Sequence, residues 1–365
     1  MAIAIIGSGP AGCYTADLLS RALPEVQIDV YERLQEPFGL VRYGVAPDHA
    51  GTKAVTQLFS RTLKRPNLRF FNNTHVGRDS GISALEEQYR VVVVATGAGA
   101  GRVPDFPGAQ SLPMLTGLQL AALFNGHDLD RIPMLPTRAS GVVIFGNGNV
   151  SLDAARLLTK PGAQLLAAGV AAAVIDWRDA LGIEQIHIIG RGNPAQTRFG
   201  LNELRELGTL EGFRPVVRAD DVVDPTGPNE AALPILAGFA EQGSDTRRAI
   251  NFHFACKLEC FQAGSLSLAC GDGSQRILEA GLGVPAIGQL AARVDGLPYD
   301  ESTGCIPNQD GLVTGRTHTY VVGWAASPAG GSIPASRKAA AALLPRLLTH
   351  FEDGAASSVV QKTQS

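Results

Sequence analysis

The first 32 residues contain the pattern that most limits how this chain can fold. A short run of small and β-branched residues, MAIAII, leads into Gly7-Ser8-Gly9-Pro10-Ala11-Gly12, and an apolar-periodic segment follows. This order predicts a buried strand, a turn with the GxGxxG spacing and a helix. Gly7 permits the tight turn, Gly9 lets a pyrophosphate approach the backbone, and Gly12 lets the helix pack closely on the strand. We therefore expect a dinucleotide at the N-terminus of this helix.

The segment after the helix supports the same interpretation. VQIDVYE predicts a second strand that ends at Glu32, about 20 residues after Gly12. A carboxylate at that place accepts hydrogen bonds from the hydroxyls of an unphosphorylated ribose. YRVVVVATGA, at residues 89–98, predicts a further buried strand, and the proline- and glycine-rich GRVPDFPGA after it is typical of a crossover to another domain.

A second nucleotide-binding pattern begins at SGVVIFGNGNVSLDAARLL, where a strand over Val142–Phe145 leads into another glycine turn. Ser151 takes the third glycine position and is still small. The next strand, in EQIHIIGRGNPAQTR, is followed by Arg191, about 40 residues after Ser151 and roughly twice the usual separation. The alanine-rich AQLLAAGVAAAVIDW between them predicts a helical insertion. An arginine at this strand end favours the 2′-phosphate of NADP, with a solvated surface arginine as the alternative.

Composition and charge exclude several classes of protein. The 365 residues are 45% hydrophobic and 18% charged, which is enough apolar material for two globular cores. A net charge of −3 predicts no nucleic-acid partner. No apolar run reaches the about 20 residues that cross a bilayer, and no basic n-region precedes AIAIIG. We expect no membrane association and a cytoplasmic location.

The spacing of the cysteines limits the redox and metal chemistry that we expect of this chain. No CxxC or CxxxxC pair is present, and no His/Cys cluster completes a metal site among Cys13, Cys256, Cys260, Cys270 and Cys305. We expect five reduced thiols and no metal. Two nucleotide sites without a redox dithiol predict that FAD occupies the first site and that a nicotinamide nucleotide visits the second. The reduced flavin then discharges into an external electron carrier, a quinone or oxygen.

These motifs, with YERLQEPFGLVRYGVAPDH at residues 31–49, NELREL, DGLPYDESTGCIPNQDG and VVGW, resemble the ferredoxin–NADP reductases of the adrenodoxin reductase type over about residues 1–340. The resemblance implies an α/β fold of two Rossmann-like dinucleotide-binding domains, as in glutathione reductase. The NAD(P) domain, residues 108–289, is then inserted into a discontinuous FAD domain, residues 1–107 and 290–365. It also implies hydride transfer between NADPH, or NADH, and FAD, followed by single-electron transfer to a small iron–sulfur protein.

The resemblance implies site residues by matching position. The residues expected to contact FAD, or to lie beside its ring and the nicotinamide, are Gly7, Gly9, Ala11, Gly12, Glu32, Leu40, Val76, Trp324, Gly331, Ser332 and Ile333. Those expected at NADP are Asn147, Gly148, Asn149, Val150, Arg191 and Glu203. The catalytic candidates are His49 and Asp153, as polar or proton-handling groups near the flavin, and Glu203 at the nicotinamide end. A structural hydrogen-bonding role for His49 is an equal alternative.

The chain departs from the family pattern in three places, one of which is a C-terminal region shorter than is usual in the family. GRRGP becomes GRGNP, so that Gly192 replaces a second arginine. Loss of one charge-assisted hydrogen bond costs about 1.5 to 3 kcal/mol, which predicts roughly a 10- to 150-fold weaker preference for NADPH over NADH. Arg198 would compensate if it lay nearby, but the sequence does not place it. After Trp324, GWxxRGPTGxI becomes GWAASPAGGSIPAS, which lowers the positive charge expected near the flavin.

A ferredoxin-like acidic carrier is the implied partner, and the candidate docking residues are Arg205, Arg247 and Arg248. Two other functions remain open at this point. One is an NAD(P)H diaphorase or quinone reductase, and the other is an FAD-binding electron-transfer subunit without turnover of its own.

Overall fold

The computed structural model describes residues 2–127, 129–222, 226–241, 247–327 and 332–362. The strands, in chain order, are β1 (Ala2–Ile6), β2 (Gln27–Tyr31), β3 (Leu68–Phe71), β4 (Val91–Val94), β5 (Ala98–Gly101), β6 (Gly141–Phe145), β7 (Gln185–Ile189), β8 (Arg214–Val216), β9 (Ala249–His253), β10 (Cys256–Gln262), β11 (Ser265–Cys270), β12 (Gln275–Glu279), β13 (Leu282–Pro285), β14 (Gln289–Ala291), β15 (Asn308–Gln309), β16 (Leu312–Val313) and β17 (Thr319–Val321). The α-helices are α1 (Pro10–Ala22), α2 (Leu40–Tyr43), α3 (Ala50–Lys53), α4 (Thr56–Leu63), α5 (Ile82–Gln88), α6 (Gly117–Phe124), α7 (Asn149–Thr159), α8 (Gly162–Ala167), α9 (Ala172–Ala180), α10 (Leu201–Leu207), α11 (Leu233–Glu241) and α12 (Ile333–Lys362).

The chain divides into two compact units, and each contains one of the predicted glycine turns. The first unit comprises Met1–Val45, His49–Ala100 and Gln289–Ser365, and the second comprises Ala46–Asp48 and Gly101–Gly288. Relative to the predicted domain boundaries, the second unit therefore starts a few residues earlier and also takes in a short segment before His49.

The first unit is built on a seven-stranded sheet in the order β15-β16-β17-β4-β1-β2-β3. The central strand β1 is parallel to both β2 and β4, and β17 is parallel to β4. Because the chain fills the sheet outward from β1 in both directions, the strand order reverses between β1 and β4. In parallel sheets, ligands bind beyond the carboxyl ends of the strands at such a switch point.

The second unit contains a parallel five-stranded sheet in the order β13-β6-β7-β9-β8, with a separate three-stranded antiparallel sheet of β10, β11 and β12. Its order reverses at β6, which lies between β13 and β7. The first sheet is parallel except for the antiparallel pairs β15–β16 and β16–β17. The two largely parallel sheets with their helices confirm the predicted fold class of two Rossmann-like α/β domains.

Alternate side chains along the strands pack into hydrophobic clusters on opposite faces of each sheet. In the first unit, Ile3 and Ile5 pack with Leu19 of α1 and with α12, whereas Ile6 faces a second cluster around Ile82. In the second unit, the core is formed mainly by β6, β7, β9 and the helices α6, α7 and α9. The predicted helical insertion consists of two helices, α8 and α9, separated by a turn at Gly169, whose φ of 86° suits glycine.

The expectation of five reduced cysteines is wrong for two of them. Cys256 and Cys270 are directly opposite each other on β10 and β11, and they form a disulfide. They are 14 residues apart in the sequence, but the antiparallel register of the hairpin brings their Cα atoms within 4.1 Å. Cys13, Cys260 and Cys305 are free.

Two histidines lie beside each other on neighbouring strands of the second unit. Nδ1 of His187 is 3.0 Å from Nε2 of His253, and Nδ1 of His253 is 3.0 Å from Nη1 of Arg276. An arginine only donates, so Nδ1 of His253 accepts, and its Nε2–H donates to His187. Both rings are neutral in this arrangement. Burial lowers the pKa of His187, and burial together with nearby positive groups lowers the pKa of His253.

The histidine pair makes the second unit sensitive to acid. As pH falls below about 6.5, the unfolded chain binds protons that the folded rings do not, so folding stability decreases. We expect the free energy of unfolding to fall by several kcal/mol between pH 7 and pH 4. Chemical denaturation at a series of pH values measures this slope. A variant with glutamine at both positions should show a flatter slope, and an unchanged slope would contradict the assignment.

Candidate functional site

The first turn, residues 7–12, joins β1 to α1 at the carboxyl edge of the first sheet. Gly7 has a φ of 102°, and a Cβ there would lie 2.5 Å from the carbonyl oxygen of Ala95. A Cβ on Gly12 would lie 1.9 Å from the carbonyl oxygen of Gly7. A Cβ on Gly9 would meet no atom within 4 Å. Two glycines are therefore required by the fold, while Gly9 borders open space in front of the helix N-terminus.

Glu32 follows β2 and is buried, with 6% of its surface exposed. Its Oε2 accepts hydrogen bonds from the backbone N–H and the hydroxyl of Ser8, at 3.0 and 2.6 Å, and its Oε1 accepts from the N–H of Leu34 at 3.0 Å. A carboxylate offers about four acceptor positions. These contacts fix the carboxylate beside the first turn and leave Oε1 with capacity for a further donor.

Other predicted FAD residues gather around the start of α1. The N–H of Phe38 donates to the carbonyl of Ser8 at 3.1 Å, and Leu40 begins α2 just after Gly39, whose Cβ would lie 3.3 Å from the Cα of Gly9. Gly323 has a φ of 72°, and a Cβ there would lie 2.5 Å from the Cβ of Ala11. Trp324 follows at once in the chain.

The remaining members of that set are more spread out. Val76 is 4% exposed and belongs to the same hydrophobic cluster as Ile6 of β1, so it contributes to the core beside this strand. Ile333 packs with the cluster that contains Cys13 and Phe38. The Ser332 hydroxyl accepts a hydrogen bond from the N–H of Ala335 at 3.2 Å, at the start of α12. The predicted residue Gly331 lies outside the described residues.

The first unit contains two buried hydrogen-bonding groups whose needs the described residues do not meet. Oγ1 of Thr96 and Nε1 of Trp324 have no hydrogen-bond partner. Thr96 follows β4 and lies beside Gly7, and Trp324 comes directly after Gly323, which packs against Ala11. Buried polar groups in native proteins normally have partners, so these two point to a polar ligand. Together with the open space at Gly9 and the Glu32 carboxylate, they fit the ADP half and the ring of FAD.

The second turn, residues 146–151, repeats this geometry between β6 and α7. Gly146 has a φ of 125°, and a Cβ there would lie 2.5 Å from the carbonyl oxygen of Ala286. A Cβ on Gly148 would meet nothing within 4 Å. Ser151 is fully buried, and its hydroxyl donates to the carbonyl of Gly146 at 2.6 Å. The Ser151 hydrogen bond to Gly146 thus takes the place of the close backbone contact between Gly12 and Gly7 in the first turn.

The predicted NADP residues lie around this turn. Asn149 and Val150 begin α7 at the helix N-terminus, and Asn149 accepts a hydrogen bond from the N–H of Gly200. A Cβ on Gly200 would lie 2.1 Å from Oε2 of Glu203 and 3.0 Å from Nδ2 of Asn149, so Glu203 is close to the start of α7. Oδ1 of Asn147 is buried and has no hydrogen-bond partner among the described residues. The site fits a nucleotide phosphate and a further polar group.

Arg191 lies beside the same turn. It follows Gly190, and a Cβ on Gly190 would overlap the side-chain amide of Asn147. Arg191 is exposed, and among the described residues its guanidinium makes no ion pair. The sequence did not place Arg198, but the structure does: its N–H donates to the carbonyl of Asn147 at 2.7 Å, and it pairs with Gly148 in a parallel β-bridge.

The catalytic candidate Asp153 takes part in a charged network that sequence reasoning missed. Nη2 of Arg156, a residue only 2% exposed, donates to Oδ1 of Asp153 at 2.8 Å, and its Nη1 bonds to Asp48. Lys160 also contacts Asp48, at 2.6 Å, and Glu206 lies 3.5 Å from Arg156. Burial raises the pKa of Asp48, but the hydrogen bond from Lys160 and the charge of Arg156 outweigh this and hold that pKa below its ordinary value.

The other catalytic candidate, His49, immediately precedes α3 and is half-buried, and its side chain does not cap that helix. Roles in catalysis for His49, Asp153 and Glu203 remain predictions.

The comparison with known proteins agrees with this geometry. Residues 1–190 match the family model "Pyridine nucleotide-disulphide oxidoreductase". The chain therefore belongs to the pyridine nucleotide-disulphide oxidoreductase family.

Individual relatives indicate which type of reductase within this family the chain resembles. The chain is 31% identical to the NADPH-ferredoxin reductase FprA of Mycobacterium tuberculosis (strain ATCC 25618 / H37Rv), over 92% of this chain and 81% of that protein. It is 31% identical to the mitochondrial NADPH:adrenodoxin oxidoreductase of Homo sapiens, over 88% of this chain and 73% of that one. These relatives confirm the resemblance to ferredoxin–NADP reductases of the adrenodoxin reductase type.

Solved structures give the same result. Mycobacterium tuberculosis FprA in complex with NADPH superposes with a TM-score of 0.90 and 30% identity, over 98% of this chain and 86% of that chain. A thioredoxin reductase of Lactococcus lactis superposes with a TM-score of 0.57 at 13% identity, over 96% of this chain and 99% of that chain, and shows the shared fold alone.

The described residues lack the features of a metal site and of a membrane-spanning helix. They contain no group of three or more His, Cys, Asp or Glu side chains placed to hold a metal ion. None of the helices in the described ranges combines the length and the apolar character that a membrane crossing requires. A cytoplasmic location remains a prediction, since the relatives include mitochondrial proteins.

Proposed function

We propose that this chain is an FAD-dependent reductase that takes electrons from NADPH and passes them to a small iron–sulfur protein such as a ferredoxin. The observation that carries the proposal is the pair of glycine turns, each at the switch point of a parallel sheet. The first turn is followed by the buried acid Glu32, and the second by the exposed cation Arg191. An acid suits an unphosphorylated ribose and a cation suits a 2′-phosphate.

The first unit supplies the FAD site. The N–H groups at the start of α1 bind the pyrophosphate, which approaches over Gly9, and Glu32 accepts from the ribose hydroxyls. Trp324 and Thr96 offer their unpartnered groups to the ligand. FAD bound here would supply the redox chemistry, which is hydride acceptance from NADPH and single-electron release to an iron–sulfur protein. The protein positions the reactants and excludes water; it needs no general base for this chemistry.

The cysteine nearest the first turn is unsuited to a dithiol relay. Cys13 is fully buried, and its thiol donates to the carbonyl of Ser8 at 3.1 Å. Burial raises the pKa of this thiol, and the negative charge of Glu32 raises it further. A protonated, inaccessible thiol does not exchange electrons with a flavin. This excludes Cys13 as a redox partner of the flavin, and the proposed acceptor is an external iron–sulfur protein.

Anaerobic titration of the purified yellow protein tests the function. Bleaching near 450 nm with one equivalent of NADPH, followed by reoxidation on adding a ferredoxin from the same source, supports the proposal. Bleaching without reoxidation by ferredoxin, but with rapid turnover of a quinone, would identify a diaphorase instead. A yellow protein that neither NADPH nor NADH bleaches would be a binding subunit.

We further propose that Arg205, Arg247 and Arg248 help to dock the acidic carrier. Arg205 is exposed on α10 and forms no ion pair with the described residues. Its Nη1 donates a hydrogen bond to Oδ1 of Asn202 at 3.3 Å. Arg247 is exposed but forms an ion pair of 2.6 Å with Glu184. Arg248 stacks over Phe213, with 5.7 Å between the guanidinium carbon and the ring centroid. Arg205 is therefore the member whose charge is most available.

Charge reversal tests this docking surface. The double variant Arg205→Glu with Arg248→Glu should lower kcat/KM for ferredoxin by about tenfold or more at low salt, because a repelled partner associates more slowly. Ferricyanide reduction should not change. The matched control is Lys257→Glu with Lys338→Glu, which reverses two exposed cations elsewhere. Equal rates with ferredoxin for both double variants and the wild type would remove these arginines from the docking surface.

A further inference from the structure

The position after Arg191 has no side chain, and its surroundings are already filled. Gly192 stands where a second arginine is usual in the family, and a Cβ there would lie 2.8 Å from Oε1 and 3.0 Å from Cβ of Gln196. Gln196 is held in place by a reciprocal capping box with Asn193. Residue 192 thus contributes no cation to the second turn.

A different arginine reaches the same turn through the backbone. The N–H of Arg198 donates to the carbonyl of Asn147 at 2.7 Å, and Arg198 pairs with Gly148 as neighbouring strands of a parallel sheet do. Adjacent parallel strands are about 4.8 Å apart, so the base of the Arg198 side chain stands next to the N-cap of α7. Arg191 directly follows Gly190, where a Cβ would overlap the side-chain amide of Asn147, so the backbone of Arg191 also lies near this turn.

Both guanidinium groups are available to a ligand. Arg191 and Arg198 are exposed, and neither forms an ion pair or a side-chain hydrogen bond within the described ranges. The carboxylate of Glu203 lies close to Gly200, which is also close to Asn149. The buried Oδ1 of Asn147 is an acceptor without a donor among the described residues, and a sugar hydroxyl beside the phosphate would supply one. Two unpaired arginines that flank one asparagine form a binding site for a dianion.

We propose that Arg198 provides the second guanidinium for the 2′-phosphate of NADPH, in place of the side chain that Gly192 lacks. This inference rests on the proposed function, since it assumes that the second turn binds NADPH. It makes Arg198 a specificity-determining residue, which restores the preference for NADPH over NADH that the loss at residue 192 would otherwise weaken.

Binding of 2′,5′-ADP and of 5′-AMP to the oxidised holoenzyme, measured by calorimetry, tests the role of Arg198. Arg198→Ala should weaken 2′,5′-ADP binding by about 10- to 150-fold and leave 5′-AMP binding unchanged, because only the former carries a 2′-phosphate. Arg198→Lys should recover part of the loss, since a lysine keeps the charge but not the fork. The matched control is Arg214→Ala, an exposed arginine at the start of β8 and so at the opposite edge of the sheet.

The outcomes separate this inference from the proposed function. If Arg198→Ala binds 2′,5′-ADP as the wild type does while Arg191→Ala binds it weakly, the role of Arg198 is wrong and NADPH remains the donor. If the wild type itself binds 2′,5′-ADP no more tightly than 5′-AMP, the NADPH assignment fails, and the inference about Arg198 fails with it. If Arg214→Ala shows the same loss as Arg198→Ala, general charge accounts for the effect, and the specific role is overturned.

Discussion

Replacing Gly12 with alanine should deprive the chain of FAD and destabilise the first unit, whereas Gly9→Ala should affect FAD alone. The Cβ at residue 12 would lie 1.9 Å from the carbonyl oxygen of Gly7, so β1 and α1 would have to separate. The Cβ at residue 9 would meet no protein atom within 4 Å, but it would project into the space that the pyrophosphate needs. We expect FAD affinity to fall at least about 100-fold in both variants, the equivalent of about 2.7 kcal/mol.

The two variants differ in the stability of the apoprotein. Overpacking costs about 1 to 3 kcal/mol or more, so apo Gly12→Ala should unfold at a lower temperature than the wild-type apoprotein, while apo Gly9→Ala should not. The absorbance ratio at 280 and 450 nm after desalting measures retained FAD, and thermal unfolding measures stability. Gly81→Ala serves as the control, since its Cβ also meets nothing within 4 Å. A Gly12→Ala protein with full FAD content and an unchanged transition would refute the close-packing argument.

Arg156→Met should destabilise the second unit by about 3 to 5 kcal/mol. Removing one partner from a buried ion pair leaves uncompensated charge behind. Here Asp48, Asp153 and Glu206 would lose Arg156, and Lys160 would be the cation that remains beside Asp48 and Glu206. The chain has two tryptophans, Trp177 in the second unit and Trp324 in the first. Fluorescence of Trp177 in a Trp324→Phe background therefore reports unfolding of the second unit by denaturant.

A second substitution distinguishes charge from packing in this network. Asp48 is the partner most nearly enclosed, with 11% of its side chain exposed, and it also bonds to Lys160. Adding Asp48→Asn to Arg156→Met should recover part of the lost stability, since Lys160 then faces fewer carboxylates and the excess negative charge of the network is reduced by one. If the double variant is no more stable than Arg156→Met, lost packing around the arginine stem explains the effect instead.

Local sequence patterns were sufficient to predict much of the fold. Each predicted strand end and glycine turn depends on residues within a few positions of one another, as with Gly7 to Gly12 and with Glu32 after β2. Such patterns encode backbone conformation directly. The family resemblance added the order of the two domains, because it transfers a whole topology at once.

The features that escaped prediction are contacts between residues far apart in the chain. The Cys256–Cys270 disulfide depends on the register of one hairpin, and the Arg156 network joins α7 to Asp48, more than 100 residues earlier. The position of Arg198 depends on a bridge to Gly148 that crosses 50 residues of sequence. Pairing of this kind is decided by tertiary packing, and a single sequence carries no local signal for it.

The bridge at residue 198 has a consequence for how coenzyme preference can evolve. The hydrogen bond to Asn147 is made by a backbone N–H, which every residue except proline possesses. An exchange at this exposed position therefore changes the side chain while this backbone hydrogen bond can remain. Given the role proposed for Arg198, a single substitution here would change the balance between the two nicotinamide coenzymes with little effect on folding, and the position would be a practical target for redesign.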